Sequence, residues 1–155
     1  MTEIQKRDYK KRLQNKCIEI IEERITTIRM AMNDAQASAN NEEKSSAGDK
    51  YETSRAMSHL QKDMQATRLS SIMKELEALL LVDCNKICHS AETGSFVNCG
   101  ALSFFISAGL GKVIFENDII FFVSPVAPIA KILHSKKTGD EFIFNKETLI
   151  IKYVY

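Results

Sequence analysis

Leu13-Gln-Asn-Lys-Cys17-Ile-Glu-Ile-Ile21-Glu-Glu-Arg-Ile25-Thr-Thr-Ile28-Arg-Met-Ala-Met32-Asn-Asp-Ala35 carries an apolar residue at every third or fourth position, and from Ile4 to Asn40 there is neither Gly nor Pro. This spacing predicts a long helix with a single narrow apolar seam, the pattern of a coiled-coil strand. Lys10, Lys11, Arg12, Glu19, Glu22, Glu23 and Arg24 lie between or beside the seam positions and read as a solvated flank. A helix of this length with one stripe needs a partner helix.

The partner follows a polar segment, Asn40-Asn-Glu-Glu-Lys-Ser-Ser-Ala-Gly48, in which Ser46 reads as an N-cap with Asp49 three residues on. Met57, Leu60, Met64, Leu69, Ile72, Leu76 and Leu79 form a second seam with one slip, between Met64 and Leu69. Two seams of similar length predict an antiparallel coiled-coil hairpin over residues 1–82 with its tip at about 40–49. At roughly 1.5 Å per residue such a hairpin reaches about 40 Å.

After Val82 the composition changes. Gly stands at 94, 100, 109, 111 and 139, both prolines at 125 and 128, and β-branched and aromatic runs replace the helical period. Strands are expected over 102–107, 112–115, 119–123, 141–144 and 149–154, with a short helix over 130–134. The fold class is therefore α+β: a helical hairpin, then a small antiparallel β domain over residues 83–155.

Composition narrows the function classes. Twenty-one basic and twenty acidic residues leave a net charge of +1, so no global field draws the chain to nucleic acid or an anionic membrane. The first residues are charged, no apolar run is long enough to span a bilayer, and four scattered cysteines are too few for a disulfide framework. A cytoplasmic protein with reduced thiols and no membrane partner is expected.

Ala127-Pro-Ile-Ala-Lys-Ile-Leu-His-Ser-Lys-Lys-Thr-Gly-Asp-Glu-Phe142 resembles the C-terminal signature of the bacterial Gre transcript-cleavage factors. In that family a Ser-Pro-Ile-Ala turn starts a short helix, and Gly-Lys-Lys-x-Gly-Asp leads into a strand. Ile119-Ile-Phe-Phe-Val-Ser124 occupies the place of the strand before the turn, and Tyr51 follows the tip as a Tyr does in the family. The resemblance implies an FKBP-like C-terminal domain and a coiled coil entering the secondary channel of RNA polymerase. It implies a factor that is not itself an enzyme and has no cofactor of its own. It would act as a monomer, with RNA polymerase as partner and transcript RNA contacted only indirectly.

In that family tip carboxylates help hold a second Mg²⁺ in the polymerase active site, and such an ion needs only one or two protein carboxylates. Here the candidate tip acids are Glu42, Glu43 and Asp49. The family's tip reads Gly-Asp-Leu-x-Glu-Asn-Ala-Glu-Tyr, and aligned on Tyr51 its first two acids fall on Lys44 and Ala47. A channel-binding regulator without cleavage activity is thus an alternative, as is a coiled-coil interaction module that has no polymerase partner. Pro125, Pro128 and Ile129 are the candidate polymerase-docking residues; the same residues also suit a turn that ends a strand and starts a helix.

Other chemistry-bearing residues have ordinary readings. Cys84-Asn-Lys-Ile-Cys88-His89 offers three soft donors, but Cys99 and His134 make no second pair, so buried free thiols are expected rather than zinc. Cysteine acyl transfer paired with His59 or His89 would need a larger core. Prolyl isomerase activity would want a Trp-floored pocket, and the chain has no Trp.

Overall fold

The structure, a computed structural model, describes residues 1–42 and 48–155. Two long helices lead, α1 (Glu3–Glu42) and α2 (Gly48–Leu80). They are followed by β1 (Phe96–Asn98), β2 (Ser103–Ile106), β3 (Gly111–Phe115), β4 (Asp118–Val123), α3 (Pro128–Leu133), β5 (Glu141–Phe144), β6 (Glu147–Ile150) and β7 (Tyr153–Val154). The chain is α+β, with two long N-terminal helices and a small β domain rich in antiparallel pairs. Among the described residues no helix is long and apolar enough to cross a membrane.

A capping box that the sequence reading passed over starts α1. The Thr2 N–H donates to Gln5 Oε1 at 2.8 Å and the Gln5 N–H to Thr2 Oγ1 at 3.3 Å, so two donors without helical partners are satisfied reciprocally. At the C-terminal end of α2, the Gln14 amide donates to the carbonyls of Leu79 and Val82 at 2.9 and 3.0 Å. Those carbonyls lie where α2 runs out of intrahelical partners. Ser46, expected to cap α2, lies outside the described residues.

Packing divides the chain into two compact units, Met1–Glu19 with Glu75–Tyr155, and Ile20–Lys74. In the first unit five strands form one sheet in the order β3-β4-β2-β1-β7, and β5 pairs with β6 apart from it. The sheet is mixed, because β2 and β4 run parallel. The antiparallel β3-β4 ribbon folds back so that β4, not β3, lies against β2. The single strand expected over 149–154 is two strands. Ile151 is buried and its N–H donates to the Asp140 carbonyl, while the Lys152 N–H donates to that of Asn98. The chain thus changes sheets between those residues, so that β6 serves β5 and β7 serves β1.

Strand register sorts the aromatic residues onto two faces. Phe96 pairs with Phe105 and Phe105 with Phe122, while Val97, Phe104 and Phe121 align on the opposite face. Phe104, fully buried, meets the rings of Phe121, Phe142 and Phe144 at 5.6, 5.9 and 5.2 Å between centroids. Ala130 and Leu133 of α3 close the same core. On the other face Tyr9 of α1 stands edge-on to Phe96 at 5.3 Å and to Phe115 at 6.0 Å.

The α1 seam is buried from Leu13 through Ile28, and Met32 and Ala35 are half-buried. Lys10, expected on the solvated flank, is instead completely buried. The α2 seam holds only past its slip: Leu79 is buried and Leu69, Ile72 and Leu76 are half-buried. Met57, Leu60 and Met64 are 67%, 62% and 59% exposed, and among the described residues the half-buried positions in that half of α2 are Ser54, Ser58 and Gln65. A five-residue step turns a helix by about 140° beyond a full turn, so the slip carries the two stripes onto different faces.

This difference predicts unequal costs for substituting two leucines of the same helix. Leu79→Ala should lower stability by about 2–5 kcal/mol through loss of contacts and a residual cavity. Leu60→Ala in dilute solution should stay within about 0.5 kcal/mol. Urea unfolding followed by circular dichroism measures both, and equal costs would contradict the assignment of faces.

Candidate functional site

The residues singled out for docking lie on the turn between β4 and α3. Val123 is buried at the end of β4; beyond it the Ala127 N–H donates to the Ser124 carbonyl at 2.9 Å, and the Val126 N–H reaches Ser124 Oγ at 3.4 Å. Ala127 is extended, with φ −64° and ψ 147°, as a residue before proline prefers, and Pro128 opens α3 where its missing N–H leaves no bond unmade. Pro125 and Pro128 are exposed, whereas Ile129 is half-buried and packs on the sheet core. The sequence reading passed over Val126, which is 74% exposed between the prolines, and Ile132, 47% exposed on α3. An apolar residue flanked by prolines in a turn was the available signal.

After α3, the Ser135 N–H donates to the Ala91 carbonyl at 2.9 Å and the Ala91 N–H to the Lys136 carbonyl at 2.7 Å, which fixes the helix end to the loop before β1. The Lys137 N–H donates to Asp140 Oδ2 at 2.7 Å, and the Asp140 N–H donates back to the Lys137 carbonyl at 3.0 Å. Gly139 between them has φ +93°, a conformation that side chains with a Cβ rarely adopt. The Lys-Lys-Thr-Gly-Asp run is therefore a tight turn whose aspartate is occupied with its own backbone.

Glu42 is the last residue of α1 and Asp49 the second of α2. Glu43 lies outside the described residues. Comparisons with protein-family models, curated proteins and solved structures found no match to this chain.

The cysteine cluster is built around Lys10. Its Nζ donates to the Lys86 carbonyl at 2.7 Å and stands 4.0 Å from Cys88 Sγ, and Cys84 Sγ lies 3.6 Å from the Lys10 carbonyl. Burial lowers the proton affinity of the Lys10 amine, and the adjacent thiols and acids oppose that shift. Burial also raises the Cys84 and Cys88 thiols, against the pull of Lys10. Both thiols are thereby held protonated, a state in which a cysteine is a poor nucleophile, and His89 is exposed. Among the described residues no group of three or more His, Cys, Asp or Glu side chains could hold a metal ion.

In the Ile20–Lys74 unit, a groove of about 580 Å³ runs between the two helices, lined by residues that include Ile28, Ala31, Gln65, Arg68 and Ile72. Ala31 is too short to fill the contact, and Gln65 stands where the seam period calls for an apolar residue.

Thiol burial has a consequence in alkali. Burial pushes Cys17 from 9.0 up to about 12, against its contact with Ser107. A raised thiol contributes stability that is whole below pH 9.0 and is lost as pH rises toward about 12, because the unfolded chain gives up its proton first. Cys84 and Cys88 act in the same sense. Stability should therefore fall above pH 9.0, and Cys17→Ala should flatten that fall; urea midpoints across the alkaline range would show it.

Proposed function

We propose that the chain is a Gre-like elongation factor that binds RNA polymerase. The two helices form a coiled-coil hairpin that enters the secondary channel, and an FKBP-like domain docks on its rim. The single observation that carries this reading is the segment 127–142, which resembles the family signature over about a dozen positions. The order of elements over residues 118–144 supports it: β4, a proline turn, α3, a glycine turn and β5 follow one another as the family pattern requires.

Docking is assigned to Pro125, Pro128 and Ile129, with exposed Val126 at the centre of the turn. Glu42, Glu43 and Asp49 are the acids available near the hairpin tip to share an Mg²⁺ with the polymerase, whose own active site would hydrolyse the backtracked transcript. The protein would then be an accessory factor of the cytoplasm without a catalytic centre of its own. Lys44 and Ala47, standing where the family has its acids, favour a second reading in which the hairpin occupies the channel and regulates without cleavage.

Two measurements test the proposal. Binding of polymerase core should weaken for Val126→Glu by about 2 kcal/mol, the scale of an interface anchor, or roughly thirtyfold in Kd. Absence of any binding by the unaltered protein would end the proposal. Cleavage by a stalled, backtracked elongation complex should accelerate on addition of the protein and lose that acceleration with Glu42→Ala, Glu43→Ala or Asp49→Ala. Binding without acceleration, with displacement of an authentic cleavage factor, selects the regulator.

A further inference from the structure

Helix α2 carries two apolar stripes, and only one is covered within the described chain. Leu69, Ile72, Leu76 and Leu79 are half-buried or buried, whereas Met57, Leu60 and Met64 face solvent at 67%, 62% and 59% exposure. The outward three are spaced by three and four residues, so they lie in one line along the helix. Thr53 continues the line at one end, and Thr67 and Ser71 at the other. Three large apolar side chains on one exposed helix face, ending in small hydroxyl residues, make a short coiled-coil seam without its second strand.

We propose that this stripe pairs two copies of the chain, α2 against α2, in parallel. The charges beside the stripe choose both occupant and direction. In heptad positions, Met57 and Met64 take a and Leu60 takes d; Asp63 then falls at g and Arg68 at the following e. In a parallel pair each g residue faces the e residue five positions on in the other helix. Asp63 therefore meets the partner subunit's Arg68, and two-fold symmetry makes the contact twice. An antiparallel pair sets g against g and e against e. Asp63 would then face only Ala56, Asp63 or Ser70, and Arg68 only Ser54, Gln61 or Arg68, which gives no attractive pair. Asp63 and Arg68 are both exposed, and among the described residues neither belongs to an ion pair within the chain.

Three apolar layers make a weak contact, so the pair forms as protein concentration rises and is absent in dilute solution. Methionine at a suits a reversible seam, because its unbranched side chain packs adaptably. The inference does not rest on the polymerase reading, and its test needs no polymerase.

Sedimentation equilibrium of the full chain, followed from micromolar to near-millimolar concentration, reads it. The expected result is a monomer–dimer equilibrium that weakens with added salt. Leu60→Lys should abolish the dimer and leave the helical circular dichroism unchanged, since the side chain is exposed. Asp63→Arg or Arg68→Asp alone should each weaken association roughly tenfold, by exchanging two attractive contacts for two repulsive ones. The two reversals together should restore it. A monomer at every concentration, or a dimer indifferent to Leu60→Lys, overturns the proposal. Failure of the double reversal to restore association overturns the parallel direction.

Discussion

In a sheet with two apolar faces, one is covered by the six residues of α3, the small β5-β6 ribbon and Ala91. Every residue of β2 is buried, so its alternating side chains must be met on both sides. Phe104 and Ile106 enter the core closed by α3 and β5, and Phe105, in register with Phe96 and Phe122, needs another cover. Tyr9 of α1 supplies part of it, edge-on to Phe96. This is why Met1–Glu19 and Glu75–Tyr155 form one compact unit although they stand at opposite ends of the sequence. The Gln14 amide, donating to the Leu79 and Val82 carbonyls at the C-terminal end of α2, strengthens the same association.

That requirement also explains the fate of Lys10. It follows Tyr9 directly, so once Tyr9 is fixed against the sheet the Lys10 side chain is carried into the loop that holds Cys84 and Cys88. A buried ammonium is costly unless it is paired or gives up its proton, and here the amine has one carbonyl at 2.7 Å and a thiol at 4.0 Å. Its lowered proton affinity and the raised thiols are two sides of one desolvated cluster. The sequence placed Lys10 on a wet flank because periodicity reports which face of a helix is apolar, not whether a second element lies across the polar face.

Much of the fold was legible for physical reasons that can be named. A Gly-free and Pro-free run with period 3.6 has few alternatives to helix, and β5 was located to the residue because the Gly139 turn and the Asn145-Lys146 turn bound it. β1 was missed because three residues show no period. The parallel β2-β4 pair was missed because strand order depends on which ribbon folds back, which no local pattern encodes. At the turn between β4 and α3, Pro125 and Pro128 are exposed as the proline positions suggest, yet Ile129 is half-buried, since the second residue of a short helix turns toward the sheet it covers.

The slip in α2 belongs to a different category, because the sequence contained it and its meaning lay in an angle. Apolar residues at 57, 60 and 64 and again at 69, 72, 76 and 79 look like one seam interrupted once. Adding 100° per residue across the five-residue step shows two seams on different faces. Had the apolar residues kept one phase, positions 58 and 65 would be apolar and the contact between the helices would be dry. Instead the contact is polar there, with Lys62 Nζ donating to Gln36 Oε1 at 2.8 Å. An apolar contact around Met57, Leu60 and Met64 has been given up within the chain, although a shift of phase in the sequence would have kept it. Retaining large apolar residues on the outer face while placing serine and glutamine on the inner one is unfavourable for the isolated chain on both counts. Both features cost less in a chain whose outer stripe is covered by a second copy, the pairing proposed above.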